Sequence, residues 1–152
     1  MYDDAPIVEA LGEKAALCRP DGGVLSYAVL SFDTPTHAGT RDQLSGGDQS
    51  LWKHLSVKYH VNENTPPLFL WANANDTAVP PTNTMEVASA MFEKRRPFEV
   101  HIYDAGGHGI SLADIETSRL GTPQMNIPYI AEWVDDSVAF LKRRDFLPIN
   151  AE

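Results

Sequence analysis

At 152 residues the chain has the length of one domain, enough to bury roughly 68–70% of its unfolded surface, and its 43% apolar and 22% charged content is that of an ordinary globular protein. The formal net charge of −9 argues against nucleic acid or an anionic membrane as partner, because phosphate binding needs clustered Lys and Arg. Cys18 is the only cysteine, which rules out an intrachain disulfide and a thiolate metal cluster.

The N-terminal "MYDDAPIVEALGEK" is acidic where a secretory signal is basic, and no window reaches 18 apolar residues, so a soluble cytoplasmic protein is expected. Ile7, Leu11 and Ala15, at four-residue steps after Pro6, predict a first helix. After the turn "PDGG", residues 24–30, "VLSYAVL", predict a buried strand. Residues 31–49, rich in Thr, Ser, Gly and Asp, predict a long loop, and Leu51, Leu55 and Tyr59 a short helix.

The run "PLFLWAN", 67–73, is apolar on both faces and predicts a central strand of a parallel sheet covered by helices. In "PPTNTMEVASAMFEKRR", Asn83 stands three residues before Glu86 at capping-box spacing. The same segment pairs Val87 with Met91 and Ala88 with Phe92, and ends on Arg95 and Arg96, where cations complement a helix dipole. A strand over 98–104 and a helix over about 128–143, with Ile130, Val134, Val138 and Leu141 in phase, complete the pattern. No repeat or low-complexity tract interrupts it, so a single domain over 1–152 is expected. Strands alternating with helices imply right-handed crossovers and an α/β fold, a parallel sheet with flanking helices.

In such a sheet the carboxyl ends of neighbouring strands share a rim, which brings Asp76, after the strand of 67–73, towards His108 in "DAGGHG", after the strand of 98–104. An acid bonded to one imidazole nitrogen fixes the tautomer and leaves the other nitrogen to act as a general base on a hydroxyl. The glycines around His108 permit a tight turn and an exposed ring. Taken singly, each residue has a plainer reading: Asp76 as an Asx turn or helix cap, Asp104 as a stabiliser of the glycine turn. His37, His54, His60 and His101 stand at no metal-ligand spacing and read as structural or surface residues, and neither a metal nor a cofactor is expected. Trp52, Trp71 and Trp133 read as core or half-buried anchors.

The stretches "TPPLFLWANANDTAVPPTNT" and "FEVHIYDAGGHGISLA" resemble the acid loop and histidine loop of the α/β-hydrolase fold. The likeness is to the carbohydrate-esterase and acetyl-xylan-esterase-like branch related to prolyl-oligopeptidase-type hydrolases, with "LSYAVLS" matching the strand before the lid-like segment. The resemblance runs from about residue 6 onward and implies Asp76 as triad acid and His108 as triad base, downstream of a serine. That nucleophile is missing: no G-x-S-x-G and no HGGG-type oxyanion loop occurs in the 152 residues. Ser45 in "QLSGGD" lacks a strand before it, Ser26 reads as sheet packing, Ser31 as a turn residue and Ser111 as a cap of the turn that follows.

The resemblance therefore implies the C-terminal half of an α/β-hydrolase fold, an incomplete domain. Two function classes stay open. In one, the chain gives acid and base to a serine esterase acting on a small carboxylic ester, an acetylated sugar being one candidate, while a separate piece brings the serine. In the other, it is a non-catalytic α/β module or inactive fragment. A half-sheet also implies self-association through its exposed edge.

Overall fold

The computed structural model describes residues 5–117 and 123–148. Its centre is a three-stranded parallel sheet in the order β1 (Gly23–Ser26), β2 (Leu68–Asn73), β3 (Phe98–Tyr103). Ser26 pairs with Trp71, and Asn73 with Tyr103. Every residue of β2 is buried, as expected of a run apolar on both faces and flanked by strands on both sides. Successive side chains point to opposite faces, so Leu68 and Leu70 join a core with Leu30, Val61, Val87 and Met91, while Phe69 and Trp71 join one with Ile110, Ile130 and Phe140.

The helices are α1 (Ala5–Leu11), α2 (Ala38–Ser45), α3 (Trp52–Leu55), α4 (Thr82–Glu93), α5 (Pro128–Ala131) and α6 (Trp133–Lys142). Of the first expected face, Leu11 is exposed and Ala15 lies buried in a 3₁₀ turn, because Gly12 at φ +56° ends α1. The strand expected over 24–30 stops at Ser26. Tyr27 adopts φ +37°, a conformation rare for a bulky residue, and although its N–H still reaches Trp71 O at 2.7 Å, the chain then leaves the sheet. As an edge strand β1 is half-buried rather than buried.

Part of the expected loop 31–49 is helical. Thr40 N donates to the ring of His37 at 3.2 Å, and Gly46 at φ +61° closes the other end of α2. The helix expected through Leu51, Leu55 and Tyr59 is α3 flanked by 3₁₀ turns, Gln49–Leu51 and Val57–His60, because Ser56 is extended.

In α4 no capping box forms. Asn83 is fully buried inside the helix; its Oδ1 accepts from Leu30 N, Ser31 N and Thr36 Oγ1 at 3.0–3.1 Å, while its Nδ2 donates to Pro35 O and Pro80 O. Glu86 faces Lys58 and Ser31. Val87, Ala88 and Met91 are buried as their spacing requires, but Phe92 points to solvent. The last helix is split at Glu132: Ile130 N donates to Ile127 O in a tightened turn, and Trp133 swings to stack on Trp71 with ring centres 5.1 Å apart. Among the described residues no helix is long and apolar enough to cross a membrane.

Candidate active site

β2 and β3 run parallel and adjacent, so the loops that follow them leave the sheet at one rim. The loop after β2 is held by Asp76 itself. Its Oδ1 accepts from Ala78 N and Val79 N, both at 2.9 Å, closing an Asx-type turn ahead of α4. Its Oδ2 lies 2.7 Å from His108 Nδ1. One oxygen of Asp76 therefore closes the turn and the other meets the imidazole. The carboxylate side chain is fully buried, and three hydrogen bonds compensate its desolvation.

His108 is half-exposed and sits in a loop where Gly106, Gly107 and Gly109 all have positive φ. Gly106, at φ +110°, is required for space as well: a Cβ there would stand 2.8 Å from Asn73 Nδ2. With Nδ1 turned to Asp76, the imidazole has its proton on Nδ1, and among the described residues Nε2 has no hydrogen-bond partner. The pair thus presents an unengaged basic nitrogen at the rim, with the tautomer set from behind. Such an arrangement can accept a proton from a hydroxyl brought to Nε2.

Three neighbours of this pair lay beyond the sequence reading. Tyr27 packs edge-on against both Trp71 and His108, with ring centres 4.9 and 5.0 Å away, and its hydroxyl accepts from Ser111 N at 3.1 Å. Asn73 Nδ2 donates to Gly107 O at 2.6 Å, and Gly107 N donates to Asn75 Oδ1 at 2.9 Å. The signal for the asparagines is the polar cluster "NAND" at the end of an apolar strand. Nothing comparable marks Tyr27, whose role depends on the strand ending one residue earlier.

The remaining candidates are engaged elsewhere. Ser26 Oγ accepts from Trp71 Nε1 at 2.8 Å; Ser31 is fully buried 2.7 Å from Glu86 Oε2; Ser45 accepts from Gly47 N at 3.2 Å. Ser111, expected as a cap, acts through its backbone, giving its N–H to Tyr27 and taking one from Trp133 Nε1. Asp104 accepts from Tyr129 Oη at 2.6 Å. His37 caps α2, His60 Nε2 lies 2.5 Å from His54 O, the rings of His54 and His60 meet edge-on, and His101 pairs with Glu99 at 3.0 Å. Trp71 is fully buried, while Trp52 and Trp133 are half-buried. Among the described residues no three His, Cys, Asp or Glu side chains converge as a metal site would need. An apolar cavity of about 350 Å³, lined in part by Leu25, Leu30, Val57 and Leu68, includes neither Asp76 nor His108; convergent chemistry, not volume, marks the site.

Residues 24–121 match the model of the prolyl oligopeptidase family. Endo-1,4-beta-xylanase B of Butyrivibrio fibrisolvens is 38% identical over 101 residues, 64% of this chain and 16% of that protein. The acetyl ester-xyloside bifunctional hydrolase of Caldicellulosiruptor lactoaceticus superposes with a TM-score of 0.74 at 34% identity, covering 86% of this chain and 45% of the other. The carboxylesterase Cest-2923 of Lactobacillus plantarum WCFS1 gives a TM-score of 0.78 at 24% identity, with 97% and 53% covered, a likeness of fold. The chain therefore spans about half the length of these solved structures, and the sheet with its flanking helices is part of an α/β-hydrolase fold.

Proposed function

From a chain that belongs to the prolyl oligopeptidase family, we infer the acid and base of a serine-type hydrolase of carboxylic esters. The observation that carries this reading is the 2.7 Å pairing of buried Asp76 with the half-exposed ring of His108 at the shared rim of β2 and β3. In the complete site a serine hydroxyl attacks the ester carbonyl carbon while His108 Nε2 takes its proton; Asp76 holds the Nδ1–H tautomer and stabilises the imidazolium. The imidazolium then returns the proton to the departing alcohol oxygen as the C–O bond breaks. Water repeats the sequence on the acyl-serine and frees the acid.

The serine and the oxyanion donors come, on this reading, from polypeptide outside the 152 residues. A hydrolase named for acetyl esters and xylosides at 34% identity supports an acetylated sugar as the ester. One observation favours a second reading, a non-catalytic module: among the described residues no serine hydroxyl hydrogen-bonds to His108 Nε2.

The test is expression of the chain alone and joined to the coding sequence that precedes it, assayed on p-nitrophenyl acetate and acetylated xylo-oligosaccharides. The chain alone should show negligible turnover. The extended protein should turn over both substrates and lose on the order of 10⁶ in kcat on His108→Ala, the size of effect typical of losing a triad base. An extended protein carrying a G-x-S-x-G serine yet inert, or active with His108→Ala, would overturn the assignment.

A further inference from the structure

We propose that Asn73 and Asn75 are positioning residues for His108, gripping the Gly107 peptide groups from the β2 side so that the Nδ1–H of the next residue points at Asp76. The inference rests on the acid–base reading of that pair. Its starting point is the loop's own weakness. Gly106, Gly107 and Gly109, all at positive φ, form the most permissive kind of backbone, yet His108 must hold one direction for its bond to Asp76. Restraint has to come from outside the loop.

It comes at Gly107, the residue before the imidazole. Its carbonyl accepts from Asn73 Nδ2 at 2.6 Å and its N–H donates to Asn75 Oδ1 at 2.9 Å, so both backbone polar groups of one residue are held by neighbouring positions of one strand end. The same β2 end continues directly into Asp76, whose N–H donates to Asn73 O at 3.1 Å. Acid and clamp are thus built on one rigid segment, which ties the imidazole to the position of its own partner. Tyr27, just past the end of β1, supports the ring edge-on.

Asn73 shows what this arrangement costs. It is fully buried, and its Oδ1 is a buried acceptor with no partner. Turning the amide over would not help, since the oxygen would then face the Gly107 carbonyl and the orphan would be an N–H pair. A residue chosen for packing alone would leave no orphan. The absence of a Cβ at Gly106 completes the fit, letting the loop lie directly on the Asn73 amide.

Proton NMR of the 152-residue chain tests the clamp through the downfield Hδ1 resonance of His108, with ¹⁵N shifts giving the tautomer. The unaltered chain should show a proton held on Nδ1, with Hδ1 sheltered from water. Asn75→Ala should speed Hδ1 exchange by about tenfold, the change that losing one hydrogen bond of typical net strength allows, while the circular dichroism spectrum is retained. Asn75→Asp keeps the acceptor oxygen and should restore the shelter; a purely structural role would track melting temperature and show no such rescue. Asn73→Ser should act like Asn75→Ala. Exchange unchanged in Asn75→Ala, failure of Asn75→Asp to rescue, or Hδ1 loss only in proportion to global unfolding would each overturn the clamp. An inert extended protein with Hδ1 behaving as predicted would refute the hydrolase reading and leave the clamp standing.

Discussion

At a strand tip the two oxygens of Asp76 divide their contacts, Oδ1 closing the turn that follows and Oδ2 meeting the imidazole of His108. Asn83 was legible in the sequence, but its meaning was not. The spacing to Glu86 suggests a local cap, whereas the side chain serves residues some fifty positions earlier, bonding Leu30 N and Ser31 N where the chain departs from the sheet. A local pattern cannot report a partner that tertiary folding delivers. Asn83→Ala should therefore be severe for a helical residue. It strands two buried N–H groups and loses five hydrogen bonds, so a fall of at least about 3 kcal/mol in unfolding free energy by urea titration is expected. A loss below about 1 kcal/mol, the range of an ordinary exposed helix position, would show that the hub is dispensable.

At the scale of elements, α4 shows how far helical periodicity reaches. Spacing of four residues places Val87 with Met91 and Ala88 with Phe92, but only the first pair and Ala88 meet the sheet, because the buried stripe is narrower than two full rows. Met91→Ala should cost about 2–5 kcal/mol and Phe92→Ala under about 0.5 kcal/mol in the same urea titration, and equal losses would mean Phe92 has a hidden partner. A second element-level device is ionic. Asp33 Oδ1 lies 3.0 Å from Lys58 Nζ and its Oδ2 accepts from Tyr59 Oη at 2.6 Å; Lys58 also meets Glu86, joining the segment after β1, the 3₁₀ turn Val57–His60 and α4. Burial pushes the Asp33 carboxyl up, but hydrogen bonds from Tyr59, Lys58, Ser31 and Ser56 outweigh it and hold it well below its ordinary 3.8. Burial likewise works against Lys58, yet Asp33 and Glu86 raise it above its ordinary 10.5. A depressed carboxyl contributes stability above the unfolded value that is lost as pH falls below about 3.8, and a raised amine contributes below 10.5 and loses it above. Asp33→Asn should lower stability at pH 7 by about 1 kcal/mol, solvent screening of an exposed carboxylate limiting the loss, and flatten the acid limb of a melting-temperature profile below pH 4. An acid limb as steep as that of the unaltered chain would place the titration elsewhere.

At the scale of the whole molecule, β1 and β3 are the outer strands of the sheet among the described residues, and they differ. β3 carries Glu99 and His101, with Arg143 reaching across to Glu99, charges that discourage a foreign strand. β1, "GVLS", carries no charge, and the apolar cavity borders it at Leu25. Unpaired amides and carbonyls beside apolar surface invite another strand. Light scattering of the chain alone should give a mass above 16.8 kDa that grows with concentration, and Val24→Lys should reduce it. A concentration-independent monomer with cooperative unfolding would mean that β1 is protected.

The sequence by itself determined the layered α/β plan, the central place of "LFLWAN" and the presence of a carboxylate and an imidazole at two loop tips, because periodicity, doubly apolar runs and glycine turns are local consequences of backbone geometry. Tertiary structure alone decided where β1 stops, that Asn83 and Asn73 reach across the fold, and that Asp76 and His108 close to 2.7 Å. Each of these depends on a contact between residues far apart in the chain. A positive φ at Tyr27 is sustained by its ring packing against Trp71 and His108, and the Asp76–His108 contact exists because parallel pairing of β2 with β3 brings both loops to one rim.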